Sequence, residues 1–508
     1  MHLAHVTLDP VAVVAPVNRR TFGTFVEHMG RCVYTGLYEP GHPSADEDGF
    51  RTDVLALTRE LGVTLVRYPG GNFVSGYRWE DGIGPREQRP RRRDLAWRSI
   101  ETNEVGIDEF ARWAAKADIE IMYALNLGTR GVQEALDVHE YLNQPAGTHL
   151  ADLRRTNGAE KPYGVRMWCL GNELDGPWQL GYTSADAYGQ LAAATARALR
   201  AAEPGLELIV CGSSSSAMPT FGAWEATVLE HTYDLVDYVS CHAYYEEHDG
   251  DLGSFLACAA DMDHFIDSVV ATADSIGARL RSKKKIQLSF DEWNVWYLSR
   301  FQNQPPTDGW QVAPRVIEDE YNVADAVVVG NLLISLLRHS DRVTAACQAQ
   351  LVNVIAPIRT EPRGPAWRQT TFHPFARTAA LARGDVLRTV VDSPSYQTAR
   401  YGEAAVLDAV ATHDPATGDV AIFVVNRDDT RPVQLTIDLT RFGLTVRSAE
   451  ASTLSDDDIR ATNTADQQDR IILRPNRQLT PNTSGAQIVL PPVSWTAVRL
   501  STQPRPVG

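Results

Sequence analysis

The stretch VRMWCLGNE, residues 165–173, is a mostly apolar run that ends in Gly171, Asn172 and Glu173. A continuous apolar run that ends at a glycine is typical of a strand in a parallel sheet, because both faces of such a strand are buried. The segment IQLSFDE, residues 286–292, is built in the same way. The sequence therefore predicts two buried strands that each end in a glutamate, a pattern that indicates acid/base chemistry.

Strand and helix patterns alternate along the chain around these two segments. Strands are predicted at residues 20–27, 64–67, 119–125, 165–173, 206–211, 236–242, 286–290 and 344–349. Helices are predicted between them at residues 53–61, 107–117, 132–141, 184–202, 223–231, 255–276 and 321–337. Eight strands in such an alternation predict an α/β fold, a (β/α)8 TIM barrel, with a doubly wound open sheet as the alternative. No GxGxxG follows the first strand and no GxxxxGK[ST] occurs, so nothing indicates a nucleotide-binding fold.

Short alternating strands separated by turns replace this pattern after about residue 384. Examples are residues 419–426, 433–439 and 486–490, with the turn NRDD at 426–429. This pattern predicts a C-terminal all-β sandwich, jelly-roll-like in form. The N-terminal strands at residues 5–8 and 11–15 are too short to fold alone, so we expect them to complete the sandwich. The predicted domains are a catalytic barrel of residues 18–384 and a sandwich of residues 1–17 plus 385–508.

Composition narrows the class of partner. The chain has 508 residues, is 44% hydrophobic and carries a formal charge of −16, with its acidic residues spread along the sequence. This charge argues against nucleic acid and favours a neutral substrate, and we interpret the five arginines of residues 86–93 as a solvated or subunit-contact loop. No apolar run reaches the length of a membrane span, and residues 1–10 lack the pattern of a secretion signal. The six cysteines have no CxxC spacing and are interpreted as buried free thiols, which predicts a cytoplasmic protein.

In the predicted barrel, Glu173 ends the fourth strand and Glu292 ends the seventh. Both then lie at the C-terminal face, where barrels of this kind hold their active sites. Either glutamate alone could instead cap a helix or form an ion pair. Two of them at strand ends, each beside Asn or Trp, favour a catalytic pair, and that chemistry requires neither a metal nor an organic cofactor.

Six ordered motifs spread over the chain resemble those of the family-51 α-L-arabinofuranosidases. The motifs are FGTFVEH (22–28), RYPGGNF (67–73), CLGNELDGPWQ (169–179), HAYY (242–245), DEWNVWY (291–297) and AQLVNVIAPI (349–358). The resemblance implies a barrel followed by a β-sandwich and an exo-acting, retaining enzyme. It also implies substrates such as arabinan or arabinoxylan oligosaccharides and a homo-oligomer, often a hexamer.

The resemblance also implies a set of site residues. Glu173 would be the general acid/base and Glu292 the nucleophile, with Asn172 beside the 2-hydroxyl of the sugar. The residues implied around the terminal sugar are Glu27, Arg67, Asn72, Tyr244 and Gln350, with Trp97 and Trp296 as walls of the pocket. Retention would require the two carboxyl groups to lie about 5 to 5.5 Å apart.

Several assignments have alternatives that the sequence leaves open. Arg67 could contact substrate or act as a counter-ion that keeps Glu292 ionised. Trp97 and Trp296 could be core aromatics, and His242 could orient a neighbour or be a core histidine. For the whole chain, the rival functions are a β-glycanase, such as an endoglucanase or xylanase, and a non-catalytic carbohydrate-binding protein.

Overall fold

Eight parallel strands close into a barrel in the computed structural model, which describes residues 1–302 and 309–504. The strands follow chain order around the barrel, and the last pairs with the first, as Cys347 does with Gly23. The barrel strands are Gly23–Phe25, Leu65–Tyr68, Glu120–Ala124, Met167–Leu170, Glu207–Val210, Tyr238–Tyr245, Gln287–Val295 and Val343–Gln348. The predicted barrel is confirmed, and the open-sheet alternative is wrong.

Helices connect the barrel strands and form the insertions. They are Thr52–Leu61, Ile107–Ala117, Val132–Asn143, His149–Thr156, Ala185–Ala202, Ala223–Thr232, Leu252–Leu256, Ala259–Arg279, Leu298–Gln302, Val323–Arg338 and Phe372–Leu381. Short 3-10 helices lie at Arg19–Phe22, Asn72–Gly76, Trp79–Gly82, Arg86–Gln88 and Thr440–Phe442. Among the described residues, no helix combines the length and the apolar composition that a membrane crossing requires.

Every barrel strand differs from its predicted bounds, and the differences at the first, fourth and seventh lie near the site or are large. The fourth ends at Leu170, so Glu173 follows this strand rather than ending it. The first begins only at Gly23, because residues 19–22 form a 3-10 turn that starts where the side chain of Asn18 accepts a hydrogen bond from the backbone of Arg20. The seventh continues to Val295, and its register to the eighth shifts between Phe290 and Trp293. Glu292 therefore lies within an irregular strand rather than at its end.

Two sheets follow the barrel, and both recruit N-terminal strands. One has five strands in the order Val390–Asp392, His2–Thr7, Val433–Asp438, Gly485–Leu490 and Thr480–Asn482. The other has seven, in the order Val13–Pro16, Asp385–Leu387, Leu407–Asp414, Asp419–Asn426, Ser494–Pro504, Leu444–Leu454 and Arg474–Pro475. The predicted sandwich completed by the N-terminal segment is confirmed. The domain boundaries stay a prediction. Residues 505–508, at the end of the predicted sandwich domain, lie outside the described residues.

Smaller features complete the architecture. Three two-stranded hairpins are formed by Arg92–Asp94 with Ser99–Glu101, Ile358–Thr360 with Ala366–Arg368, and Ser395–Thr398 with Gly402–Ala405. All six cysteines are buried and free, as the sequence predicts.

The helix Val323–Arg338 lies between the barrel and the seven-stranded sheet. All its residues from Val323 to Leu337 are buried, which explains why its sequence is apolar on every side. Its N-terminus is closed by reciprocal hydrogen bonds between Asn322 and Asp325. At its centre, Gly330 faces the indole of Trp495 from the sheet.

Gly330→Ala is expected to destabilise the protein. A Cβ atom at Gly330 would lie 2.1 Å from Cδ1 of Trp495, and overpacking of this kind costs about 1–3 kcal/mol. This cost exceeds the gain of about 1 kcal/mol in helix propensity. A lower Tm by calorimetry is the expected result. Gly253→Ala is the control, because its Cβ would meet nothing closer than 3.5 Å; an equal or higher Tm for Gly330→Ala would contradict the packing.

Candidate active site

Glu173, His242 and Glu292 meet at the C-terminal mouth of the barrel, following or within its fourth, sixth and seventh strands. One side-chain atom of each lies within 4.8 Å of one atom of both others. All three residues are at most 9% exposed. Carboxyl groups about 5 to 5.5 Å apart are typical of retaining glycosidases, whereas inverting ones need about 6.5 to 9.5 Å. The spacing of Glu173 and Glu292 therefore suits double displacement.

Arg67 contacts the seventh strand, which carries Glu292, and the loop after the fourth strand, which carries Glu173. Its Nη1 donates to Oε1 of Glu292 at 2.6 Å, and its Nη2 donates to Oδ1 of Asn172 at 2.6 Å. Its Nε lies 3.5 Å from Oδ2 of Asp291. Arg67 is only 1% exposed, so these contacts replace its hydration. The geometry favours the counter-ion reading of Arg67 and leaves Glu292 held in one orientation.

His242 lies among three carboxylates. Its Nδ1 is 2.8 Å from Oε1 of Glu173 and 3.6 Å from Oε2 of Glu292, and its Nε2 is 3.2 Å from Oδ1 of Asp291. Burial lowers the pKa of His242, but the charge of Glu292 and the contacts with Asp291 and Glu173 outweigh burial and raise it to about 10. His242 is therefore an imidazolium at neutral pH and orients Glu173.

The same three residues are spaced as metal ligands are. An imidazolium has no free lone pair for a metal, and Arg67 together with His242 already supplies two positive charges to the carboxylates. The carboxylates of this group are thus already paired with cationic side chains of the protein.

Tyr244 links the nucleophile candidate to an aromatic wall. Its hydroxyl donates to Oε2 of Glu292 at 2.7 Å, and burial raises the pKa of Tyr244 well above its usual value, so the hydroxyl stays a donor. Its ring lies 5.1 Å from that of Trp296, edge to face. Phe301 lies 6.2 Å from Trp296 and 6.3 Å from Trp97, which continues the wall. No sequence motif indicated Phe301, which lies in the short helix Leu298–Gln302.

Glu27 is a buried acceptor beside the other residues. Its Oε1 accepts from the backbone N–H of Phe73 at 2.9 Å and from Nε1 of Trp97 at 2.7 Å, and its Oε2 accepts from Nε2 of Gln350 at 3.2 Å. Gly71 makes room for this carboxylate, because a Cβ there would lie 2.2 Å from it. Burial raises the pKa of Glu27 to about 8, against the lowering effect of its hydrogen bonds.

The loop that carries Trp97 is fixed by a carboxylate at its base. The backbone N–H groups of Ala96 and Trp97 donate to Asp94 at 3.0 Å each. These residues join the strands Arg92–Asp94 and Ser99–Glu101. Asn72 joins the site through another contact, since its Oδ1 accepts from Nδ2 of Asn172 at 3.4 Å.

All the predicted site residues thus take part in connected contacts at this face of the barrel. Two neighbours escaped the sequence reasoning. Asp291 lies between Arg67 and His242, and Trp178 donates from Nε1 to Oε2 of Glu173 at 2.7 Å. Asp291 lies in the motif DEWNVWY and Trp178 in the motif CLGNELDGPWQ, and in the sequence only these motif positions indicate that the two residues belong to the site.

Comparisons with known proteins identify the family of the chain. Two family profiles match the chain: "Alpha-L-arabinofuranosidase 1 domain" over residues 57–262 and "Alpha-L-arabinofuranosidase C-terminal domain" over residues 291–494. Together they cover both candidate glutamates.

Curated relatives and solved structures match over nearly the whole chain. An intracellular exo-α-(1→5)-L-arabinofuranosidase from Streptomyces lividans is 57% identical over 98% of this chain and 75% of its own length. An exo-α-(1→6)-L-arabinofuranosidase from Bifidobacterium longum is 56% identical over 96% of this chain and 95% of its own. The solved structure of a family-51 α-L-arabinofuranosidase from Bifidobacterium longum is 50% identical, covers 98% of this chain and 100% of its own, and has a TM-score of 0.94. The chain therefore belongs to the family-51 α-L-arabinofuranosidases.

Proposed function

We propose that this enzyme removes terminal arabinofuranosyl units by a retaining double displacement, with Glu292 as nucleophile and Glu173 as general acid/base. The observation that supports this proposal most is the approach of the two side chains within 4.8 Å at the mouth of the barrel. That spacing leaves no room for a water molecule between the sugar and Glu292, as direct attack requires.

In the first step, an oxygen of Glu292 attacks the anomeric carbon and the bond to the leaving oxygen breaks. Glu173 gives its proton to that oxygen, so the leaving sugar departs as an alcohol. Arg67 and Tyr244 donate hydrogen bonds to the two carboxylate oxygens of Glu292, at 2.6 and 2.7 Å, and hold this carboxylate in one orientation. In the second step, Glu173 takes a proton from water, the water attacks the anomeric carbon, and the ester to Glu292 breaks.

The terminal sugar would fill the pocket beside the two glutamates. Glu27, Asn72, Asn172 and Gln350 offer polar groups to its hydroxyls, and the rings of Trp97, Trp296 and Tyr244 form the walls. Pockets of this kind obtain affinity from aromatic walls and specificity from a few fixed polar groups.

We further propose arabinan or arabinoxylan oligosaccharides as substrates and the cytoplasm as the location. Relatives are named for (1→5) and (1→6) linkages, and the one from Streptomyces lividans is named intracellular. The six buried free thiols agree with a reducing compartment. We also propose a homo-oligomer, of which the hexamer is the form that the family resemblance implies.

Glu173→Ala should retain activity only on substrates whose leaving group needs no proton. An aryl arabinofuranoside with an acidic phenol should still form the glycosyl ester, whereas an arabinofuranosyl disaccharide should lose about 10²-fold or more in kcat/KM. Added azide should restore turnover and give the α-azide, identified by NMR. A β-azide, or an equal loss on all leaving groups, would contradict both retention and this role of Glu173.

Glu292→Gln should lower kcat/KM by on the order of 10⁴-fold or more on every substrate, whatever its leaving group, because no covalent intermediate can form. The amide keeps the shape of the side chain beside Arg67, so a thermal melt serves as the folding control. In the wild type, a mechanism-based arabinofuranosyl inhibitor should label the peptide that contains Glu292, detected by mass spectrometry. Labelling of Asp291 or of another peptide would refute the assignment.

Glu27→Gln should change how stability depends on pH. The pKa of Glu27 rises from 4.5 to about 8 on folding, so the wild type loses stability as pH rises between these values, where the unfolded chain ionises first. Gln does not titrate. The Tm of Glu27→Gln relative to wild type should therefore increase from about pH 5 to about pH 8 and then level off. A difference that stays constant, or falls, over this range would show that Glu27 ionises normally.

A further inference from the structure

Glu173, the proposed acid/base, has an unusual backbone conformation. Its φ angle is 46°, in the left-handed region that residues other than glycine rarely adopt. Such a conformation is unfavourable and persists only where the surrounding structure fixes it. Nδ1 of His242 and Nε1 of Trp178 contact the carboxyl group of Glu173 at 2.8 and 2.7 Å, but these contacts hold the end of the side chain. The backbone is fixed by the turn that begins at Glu173.

This turn consists of residues 173–176. The backbone N–H of Gly176 donates to the carbonyl oxygen of Glu173 at 2.9 Å and closes the turn. Leu174 is 1% exposed and belongs to the barrel core. Asp175 is 2% exposed, and its Oδ2 accepts from the backbone N–H and from Oγ of Ser214, at 2.9 and 3.0 Å. The turn is therefore held by the core through Leu174 and by a neighbouring loop through Asp175.

The burial of Asp175 is unfavourable for folding. In the described part of the chain, Asp175 forms no ion pair and its Oδ1 accepts no hydrogen bond. Burial raises the pKa of Asp175 to about 6, although the hydrogen bonds from Ser214 lower it. A buried carboxylate without a cation destabilises a protein unless its hydrogen bonds compensate. A feature of this kind beside an active site indicates a role in the site rather than in the stability of the fold.

Ser214, the partner of Asp175, is itself held in place. It belongs to a run of four serines, residues 213–216, that follows the fifth barrel strand. No GxSxG frame surrounds this run, so it is not the nucleophile elbow of a hydrolase. The backbone N–H of Ser213 donates to Oε1 of the buried Glu225 at 2.7 Å, which anchors the run to the next helix. Ser214 therefore offers Asp175 two donors in fixed positions.

A shift of this turn would act on one half of the chemistry. A general acid must lie about 2.6–3.2 Å from the oxygen that it protonates, and a misplacement of about 1 Å can cost about 10²-fold in rate. Glu173 moves with the turn that it begins. Glu292 lies in the seventh strand and is held by Arg67 and Tyr244, so its attack does not depend on the turn.

We propose that Asp175 and Ser214 are positioning residues for the acid/base: their hydrogen bonds hold the turn at Glu173 so that its carboxyl group meets the leaving oxygen. The proposal rests on the proposed function of Glu173 as general acid/base. Loss of the contact between Asp175 and Ser214 then impairs proton donation and spares the attack by Glu292.

Two substrates with the same sugar and different leaving groups test this proposal. Methyl α-L-arabinofuranoside has a leaving group that needs a proton, whereas an aryl arabinofuranoside with an acidic phenol has one that does not. For both, kcat/KM reports the step in which the leaving group departs. In Asp175→Ala, kcat/KM on the methyl glycoside should fall about tenfold or more beyond its fall on the aryl glycoside, because only the first needs a correctly placed acid.

Three further variants complete the design. Asp175→Asn keeps an oxygen that accepts from Ser214 and should restore most of the activity on the methyl glycoside. Ser214→Ala keeps its backbone N–H and should show a smaller loss in the same direction. The matched control is Asp108→Ala, which removes a carboxylate that is 3% exposed and accepts from the hydroxyls of Tyr141 and Tyr163 at 2.7 and 2.6 Å. It should lower the Tm without changing the ratio between the two substrates.

Equal losses on the two substrates in Asp175→Ala would overturn the proposal, because Asp175 would then support the fold or the sugar pocket rather than proton donation. Unchanged kinetics, or an equally large loss in Asp175→Asn, would overturn it too. If a thermal melt shows that Asp175→Ala does not fold, Ser214→Ala gives the same ratio and decides in its place. Glu173→Ala reports the acid/base role separately, so its expected dependence on the leaving group beside a failed Asp175 series would refute the positioning role and leave the mechanism standing.

Discussion

The buried guanidinium of Arg67 is the interaction on which the site depends. Arg67 comes from the second barrel strand, yet it binds Asn172, just after the fourth, and Glu292, in the seventh. A charge this buried is stable only when it is paired, and removing one partner of such a pair costs about 3–5 kcal/mol. The seventh strand and the loop after the fourth, which supply the glutamates, are therefore tied across the barrel mouth by one side chain.

The charges around Arg67 nearly cancel. Glu173, Asp291 and Glu292 supply three carboxylates, and Arg67 and the imidazolium of His242 supply two cations. One negative charge is in excess when all three carboxylates are ionised, and none when Glu173 holds the proton of the general acid. The cluster thus accommodates both protonation states through which a retaining glycosidase passes.

The alternation of strands and helices was readable because the barrel strands are buried on both faces, whereas most of the long helices, unlike Val323–Arg338, are buried on one. The start of the first strand was missed although its signal is local, since Asn18 caps the turn through the backbone of Arg20. The extent of the seventh strand was not readable, because its register shift before Trp293 depends on pairing with the eighth strand. The motif residues meet at the mouth of the barrel, and their roles stay a prediction. Phe301 and the contact of Trp178 with Glu173 were missed, since both depend on the paths of loops, which no periodic pattern in the sequence records.

By itself, the sequence determined the fold class, the family and the two strands beside or within which Glu173 and Glu292 lie, because apolar periodicity and short motifs are local properties of the chain. Only the tertiary structure decided that Arg67 faces Glu292, that His242 lies among three carboxylates, and that Glu27 is buried against Trp97 and Gln350. These contacts join residues far apart in the chain. Their energies come from burial and from distances between charges, which exist only once the barrel has closed.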